Sequence, residues 1–531
     1  MVSRLVIIKI KLNPMKKNSI IIIFLVLPLF LFSQETLTGM IMDKNNPKDN
    51  LGVFGANVYW LNTSIGATTN EKGWFTIPYK KSYKKLVVSY VGYKTDTLNI
   101  SDLEPIHHFI TLENELEEVT LKSKKKATQR SFIQTKNVFT VNSAELLKAA
   151  CCNLAESFET NPSIDVNFSD ALTGTRQIQM LGLKSPYLLI TQENIPSIRG
   201  AGQVFGLTFT PGTWVESIQI TKGAGSVING YESISGQINA ELVKPLTDNR
   251  IFLNAYGSLG GRYELNSHLN HKISDKWQTG VYIHGNYRNK KFDRNKDGFL
   301  DNPLISQVNV MNRWQYLDAE KGWVSFINVR FMDDSKQTGQ NNFDPLKDKG
   351  KSEVWGGEID TKRFDSSLKL GYVFPQLPFQ SFGFQFSYSN HDQDSYFGLK
   401  TYDINHQSVY SNLLFNSIIG DTRSKFTTGL NFTYDIYDEF VNSINFSRKE
   451  KSFGGFFEYA YDNSDNFSFT SGVRIDTHNL LGTYITPRLH IRYVPWEKGV
   501  LRASVGQGRK SANVFAENQQ LFASSRQIDI Q

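Results

Sequence analysis

From about residue 244 onward, apolar and polar side chains alternate with period two in blocks separated by turns. Leu265, Leu269 and Ile273 oppose Asn266, His268, Asn270 and Lys272, and Val281, Ile283 and Tyr287 oppose His284, Asn286 and Arg288. Phe382, Phe384, Phe386 and Tyr388 oppose Gly383, Gln385, Ser387 and Ser389. The same alternation runs through Leu430–Ile436, Phe467–Asp476 and Arg488–Tyr493. Successive residues of a strand face opposite sides, so each block predicts a strand that is greasy on one face and hydrophilic on the other. Tight turns (Ser274-Asp-Lys, Asp421-Thr-Arg-Ser, Asp462-Asn-Ser-Asp, Pro495-Trp-Glu-Lys-Gly) fall at every second junction, and longer loops such as Asp333 to Asp360 fall at the others. That rhythm predicts an antiparallel barrel over 244–531 with its apolar face toward lipid and its polar face toward a wet lumen.

The first half of the chain reads differently. Met15-Lys-Lys-Asn, an apolar run from Ile20 to Phe32 and then Ser33-Gln34 form an export signal over 1–33, with Met1 or Met15 as its start. The apolar run is too short for a helical membrane span. Runs at Thr36–Met42, Ala56–Leu61, Trp74–Ile77, Lys85–Tyr90 and His108–Leu112, broken by Asn, Gly and Pro, predict a small β-sandwich over 35–113. A segment over 114–129 holds Glu117-Glu-Val-Thr-Leu121 and the basic residues Lys122, Lys124, Lys125 and Lys126. Over 130–243 the pattern is mixed α and β. Ser143 caps a helix carrying Leu146, Leu147, Ala150 and Leu154 at helical spacing, and later strands at Val215–Ile220 and Gln237–Leu242 flank a turn punctuated by Gly223, Gly225, Gly230 and Gly236. Glycines at this density let the backbone reverse and approach other backbone closely.

Composition sharpens the barrel reading. Aromatic residues make up 13% of the chain, with 37 Phe and 23 Tyr, while mean hydropathy is only −0.35. Aromatics interleaved with polar residues suit a barrel better than a helical membrane protein. Five of the seven net positive charges are those of Arg4, Lys9, Lys11, Lys16 and Lys17 in the export signal, so the balance does not point to nucleic acid.

The stretch Trp214–Val243 resembles the closing segment of the plug domain in TonB-dependent outer-membrane receptors, where an Ile-Glu-x-Ile-x-Val-x-Lys-Gly strand meets a Gly-Gly-x-Ile-Asn strand just before the barrel. Lys222, Gly223, Gly225, Gly230, Gly236, Ile238 and Asn239 carry that match, and Ser235 stands where the family often has a glycine. Thr175–Gly182, with Arg176 and Gly182, and Tyr187–Pro196 resemble two further plug strands. Here Leu181 replaces the usual Arg before Gly182, and Glu193-Asn194 replaces Asp-Gly. Gly55–Val58, Gly66–Ile77 and Val88–Tyr93 resemble the non-catalytic carboxypeptidase-regulatory-like sandwich that often precedes such receptors. The resemblance implies a mostly β protein with a sandwich, an α+β plug and an incomplete transmembrane barrel, with about 13 strands against about 22 in plugged transporters. A fragment or a truncated chain is expected on that count. It further implies that Glu117, Glu118, Val119, Thr120 and Leu121 form the strand that pairs with a TonB-type inner-membrane protein. In the family, a small nutrient (ferric siderophore, metal ion, cobalamin, haem or glycan) enters by energy-coupled remodelling of the plug, whose periplasmic side also carries the N-terminal domain. Outer-membrane lipid is the other partner, and the outer membrane the location. The alternatives are a secreted or surface β-rich adhesion protein and a truncated remnant that transports nothing.

Candidate chemistry is sparse. Asp293, Asn295, Asp297 and Asp301 stand at positions 1, 3, 5 and 9 of a loop with Gly298 at position 6 and the Phe299 carbonyl at 7, the spacing by which a loop wraps calcium. Position 12 is Leu304 and not a glutamate, so an ion-free Asx-rich turn is the other reading. The adjacent Cys151 and Cys152 are too close for an unstrained disulfide; they read as small buried residues or as soft ligands for a thiophilic metal. His107 and His108 lack further ligands at zinc spacing. Gly350-Lys-Ser352 has Pro345 in place of a P-loop's first glycine. No His-Glu-x-x-His or Gly-x-Ser-x-Gly occurs. The chain therefore reads as a non-enzyme that requires no cofactor, with a structural calcium ion in the Asp293–Asp301 loop as the one candidate.

Overall fold

A computed structural model describes residues 35–44, 52–91, 93–111, 128–130, 135–143, 153–158, 164–168, 174, 176–496 and 499–524. The export signal, the segment 117–121, the cysteine pair and the helix after Ser143 lie outside the described residues.

Residues 35–111 form the expected sandwich. One sheet orders Trp74–Pro78, Thr36–Asp43 and Ile106–Ile110; the other orders Gly66–Thr68, Asn57–Trp60, Lys85–Ser89 and Asp96–Asn99. Gly66–Thr68 and Asp96–Asn99 were not expected as strands; both are short polar edge strands with no buried alternation to betray them. Between the sheets Leu37, Ile41, Val58, Trp60, Phe75, Ile77, Leu86 and Val88 form a dry core. Trp60 is enclosed, and its indole N–H donates to the Pro78 carbonyl at 2.9 Å.

The plug is built on a six-stranded mixed sheet ordered Ile195–Pro196, Leu188–Gln192, Gly236–Leu242, Val215–Lys222, Val138–Asn142 and Thr128–Arg130. Both strands expected around the glycine turn are present and pair antiparallel, with Lys222 opposite Gly236. A small sheet of Asp165–Phe168, Arg176–Met180 and Leu183–Lys184 lies beside it.

Around the plug runs one antiparallel sheet in which thirteen strands follow each other in sequence order, from Ile251–Gly257 to Gly499–Gly506. Among the described residues those two strands are its ends. Leu377–Phe397 and Asp421–Val441 reach 21 residues each, about twice what a tilted strand needs to cross a bilayer. The alternation holds with the expected polarity: Leu265, Ile283, Phe331, Phe382, Leu430, Phe432 and Ile475 are exposed on the outside, whereas Asn266, His284, Asn309, Asn431, Thr433 and Asp476 are buried on the inside. No helix among the described residues is long and apolar enough to span a membrane, which leaves crossing by strands untouched.

Two expectations need correction. The loop expected over Asp333–Asp360 is only 340–355, because the flanking strands stay paired out to Gly339 opposite Gly356; the polar alternation of Asp333–Gly339 is strand that has run past the apolar belt. The short-long rhythm also holds only in part. Segments 289–303 and 340–355 are long and lie at one end, but strands Leu377–Phe397 and Lys400–Ile419 are joined at that same end by Gly398 and Leu399 alone. Residues 507–524 hold no strand but pack at the long-loop end, where Phe515 and Phe522 join Phe397, Tyr402 and Val441 in a buried cluster. The sandwich meets the opposite end: Gly66 N–H donates to the Ser464 carbonyl at 3.1 Å, and Phe54 lies edge-on to Phe379.

Candidate functional site at the plug–wall interface

The inner face of the sheet was expected to be wet. It is polar but buried, because the plug fills it. Charged wall residues therefore meet plug backbone and plug charges directly, and each buried polar group needs a partner.

Three clusters bring wall charges onto the plug's tip, onto Arg199 and onto the glycine turn. In the first, Glu193 and Asn194 form the tip joining Leu188–Gln192 to Ile195–Pro196, both in the left-handed region, with φ of 51° and 65°. Asn tolerates that region; a glutamate there is unusual and needs outside support. The support comes from the wall: Arg313 Nη2 donates to Glu193 Oε1 at 2.6 Å, and Lys369 Nζ donates to the Glu193 carbonyl at 3.1 Å. Arg313 is fully buried. In the second, Arg199 sits between Asp435 on the wall (2.9 Å) and Glu232 on the plug (3.2 Å), and His406 hydrogen-bonds the same Asp435 at 3.0 Å.

The third cluster grips the glycine turn. Arg488 donates to the carbonyls of Ser226, Tyr231 and Ser233, Arg474 to that of Val227, and His490 pairs with the Gly225 carbonyl at 2.7 Å. Gly225 has φ of +68°, and a Cβ there would stand 2.5 Å from Gln237 Cδ. Gly236 abuts the Thr221 carbonyl, 2.7 Å from where a Cβ would lie. Both glycines sit where a Cβ would clash, Gly236 against backbone and Gly225 against the Gln237 side chain.

The remaining motif residues divide. Ile238 is in the plug core. Asn239 Oδ1 accepts from Thr191 Oγ1 and from Asn194 N–H, both at 2.8 Å, so it braces the strained tip. Lys222 lies over the Phe139 ring. Gly223 and Gly230 take positive φ, and Ser235 donates its N–H to the Tyr187 carbonyl at 3.1 Å. Arg176 and Gly182 lie outside these three clusters: Arg176 pairs at 3.4 Å with Glu156, whose carboxylate also accepts from the wall's Arg262 at 2.9 Å, and Leu181-Gly182 is a hairpin tip with Leu181 64% exposed. Leu181, at the family's arginine position, is thus largely exposed, and Glu193–Arg313 supplies an ion pair between plug and wall.

The calcium-spacing loop stands apart at the long-loop end. Asp293 accepts from the N–H groups of Asp297 and Gly298 and from the Asn341 side chain, Asp297 accepts from Phe299 N–H, and Asp301 from Arg294 N–H. Its oxygens close an Asx network, and among the described residues no group of three or more His, Cys, Asp or Glu is placed to hold a metal. His107 packs edge-on to Trp74 and His108 pairs with Asp96.

Arg313, Arg199, Asp435, Arg474, Arg488 and Glu458 were missed from sequence. For the five wall residues the signal was a charge in the inward register of an alternating strand, and Arg199, in a plug loop, gave none; what each would touch depends on the plug's placement, which no spacing encodes. Cavities lie between plug and wall, among them one of about 150 Å³ bordered by Glu156, Arg176, Arg262 and Asp334. One of about 90 Å³ is bordered by Ser197, Arg199, Arg330 and Arg363. One of about 660 Å³ lies between the plug sheet and the strands from Leu377 to His478, lined by Thr191, Gln219, Thr221, Asn229, Gln237 and Glu458 among others, and reaches the tight turn at Thr422 and Arg423.

Comparison with known proteins agrees with this geometry. Residues 37–121 match the CarboxypepD_reg-like domain family and residues 131–237 the TonB-dependent receptor plug domain family. The first match runs through Leu121 and so includes the segment 117–121. No curated protein sequence matches. Among solved structures, Pseudomonas aeruginosa FpvA bound to a heterologous ferric pyoverdine aligns with TM-score 0.58 at 11% identity, covering 75% of this chain and 61% of that one. The P. aeruginosa ferric enterobactin receptor PfeA, as its G324V mutant, gives 0.56 at 14%, covering 71% and 62%. The ferric-catecholate import receptor Fiu of E. coli K12 gives 0.55 at 12%, covering 72% and 70%. The chain spans about three fifths of the length of the first two. Residues 131–237 are a TonB-dependent receptor plug domain, preceded by a CarboxypepD_reg-like domain and wrapped by a sheet with the fold of the TonB-dependent siderophore receptors.

Proposed function

We propose that the chain is an outer-membrane receptor that imports a scarce nutrient by energy-coupled remodelling of its plug, with a ferric siderophore first among the cargoes to test, ahead of a metal ion, cobalamin, haem or a glycan. In this reading Glu117–Leu121 pairs as an added strand with a TonB-type inner-membrane protein, and the sandwich and the tight-turn end face the periplasm. One observation carries it: a plug domain seated on the buried polar face of a sheet whose outer face exposes Leu, Ile and Phe over strands long enough to cross a bilayer. A secreted adhesin would bury those side chains between sheets. The neighbours named for ferric enterobactin and ferric catecholates supply the order of cargoes.

The test is uptake of an iron-labelled siderophore by cells carrying the chain with and without residues 117–121. Cargo binding retained with uptake lost supports the reading; equal uptake by both forms removes the coupling assignment. Recovery of the protein in soluble form, not in the membrane fraction, would return the adhesin.

A further inference from the structure

One wall carboxylate ties together two parts of the plug that are far apart in sequence. Lys136 lies where the chain enters the plug, one residue after Thr135 and two before the strand Val138–Asn142. Its Nζ donates to Glu458 Oε1 at 2.7 Å. The other oxygen, Glu458 Oε2, accepts from Ser226 Oγ at 2.6 Å and from Val227 N–H at 3.3 Å. Thr135 Oγ1 donates to Ser468 Oγ at 2.9 Å on the next wall strand. Ser226 and Val227 belong to the glycine turn gripped by Arg474, Arg488 and His490. Lys136, Ser226 and Glu458 all line the 660 Å³ cavity. Glu458 is buried and faces inward from the strand Arg448–Asp462.

We propose that Glu458 is a latch that couples the plug's entry to its glycine turn. A pull on the chain upstream first strips the three-residue edge strand Thr128–Arg130 from Phe139–Val141, and then meets the Thr135 and Lys136 side-chain ties before it reaches the pairing of Val138–Asn142 with Val215–Lys222, which five register pairs hold. Loss of Lys136 leaves a buried carboxylate without its cation, a costly state. The Glu458–Ser226–Val227 contacts then weaken with it, and the turn bordering the cavity is freed on one side. The source of the pull rests on the coupling proposed above; the tie itself does not.

Hydrogen exchange on the purified full chain in nanodiscs tests it, since the readout needs neither cargo nor an energy source. Glu458→Gln and Lys136→Met should each raise exchange in both 135–142 and 223–230 by about tenfold, with Leu188–Gln192 unchanged. The double reversal Lys136→Glu with Glu458→Lys should bring 135–142 back to within about twofold of the parent and leave 223–230 raised, because a lysine at 458 restores the ion pair but cannot accept from Val227 N–H. Wild-type exchange in the single variants overturns the latch. So does a rise confined to one segment in those single variants, or a rise across the whole plug, which would make the pair a general folding contact. If exchange behaves as expected while deletion of 117–121 leaves uptake intact, the latch stands and the coupling reading falls.

Discussion

The N-terminal sandwich and the plug–wall interface are equally buried and held by opposite chemistry. In the sandwich, enclosure means Trp60 against Tyr79 and Tyr83, with Leu86, Val58 and Ile77 around it and one indole hydrogen bond. At the interface, enclosure means Arg313 on Glu193, Arg474 on Asp476 and the Val227 carbonyl, and Arg488 on three carbonyls. An apolar core is non-directional and tolerates small shifts. A buried ionic seam is stable only in one registration, and displacing it exposes groups that water readily solvates. The first suits a module that stays folded; the second suits a surface that must hold and then release.

The comparison breaks most sharply at single residues. Trp60→Ala removes the largest side chain of the dry core and should destabilise the sandwich by about 3–5 kcal/mol, read as loss of exchange protection in 85–89 with the plug unaffected. Arg313→Met leaves Glu193 buried without a cation, and a loss of about 3–5 kcal/mol is expected in the protection of 188–196. Arg313→Met combined with Glu193→Met should recover most of that loss, whereas no second substitution of that kind rescues Trp60→Ala. Recovery failing at the interface would mean that the pair sets the geometry of the tip and not merely its electrostatics.

A smaller effect comes from the backbone. Gly225→Ala combines a positive φ with contact on Gln237, and about 1–3 kcal/mol of destabilisation is expected in 223–237. Gly230 also has positive φ, but nothing lies within 4 Å of an added Cβ, so Gly230→Ala carries only the conformational part. If the two substitutions cost the same, close approach is not what Gly225 provides.

The difference between the regions also explains what could be read in advance. Period-two alternation is a local property, so the sandwich core, the strands of the sheet and the outward aromatic face were legible from Phe382–Tyr388 or Leu430–Ile436 alone. The glycine turn was legible because Gly225 and Gly236 answer to backbone conformation and close contacts within the same plug. Arg313 meeting Glu193 was not: the partners are 120 positions apart, and their pairing follows from how the plug is rotated inside the sheet. Glu193-Asn194 in place of Asp-Gly, a departure visible in the sequence, marks the residue that reaches the wall. Edge strands such as Gly66–Thr68 were missed because an exposed strand has no hydrophobic pattern to show.

The smallest effect sharpens the contrast from the sandwich side, where a polar group at the core's margin can be isolated by pH. Tyr93 donates its hydroxyl to Asp43 Oδ2 at 2.9 Å. Burial, then that hydrogen bond and the carboxylate's charge, push the phenol up from 10.0 to about 12. The raised value means the folded state favours the protonated phenol. Its stabilising contribution is therefore complete below pH 10 and is lost as pH rises through 12. Tyr93→Phe lacks this titration, so the stability gap between parent and variant should be constant from pH 7 to 10 and then narrow, by less than about 1 kcal/mol at a site so near solvent. Tyr90, whose phenol burial also raises, titrates in both proteins and cancels in the difference. A gap that stays flat through pH 12 would show that Asp43 contributes nothing through this bond, and that even the margin of the sandwich is held by apolar contact alone.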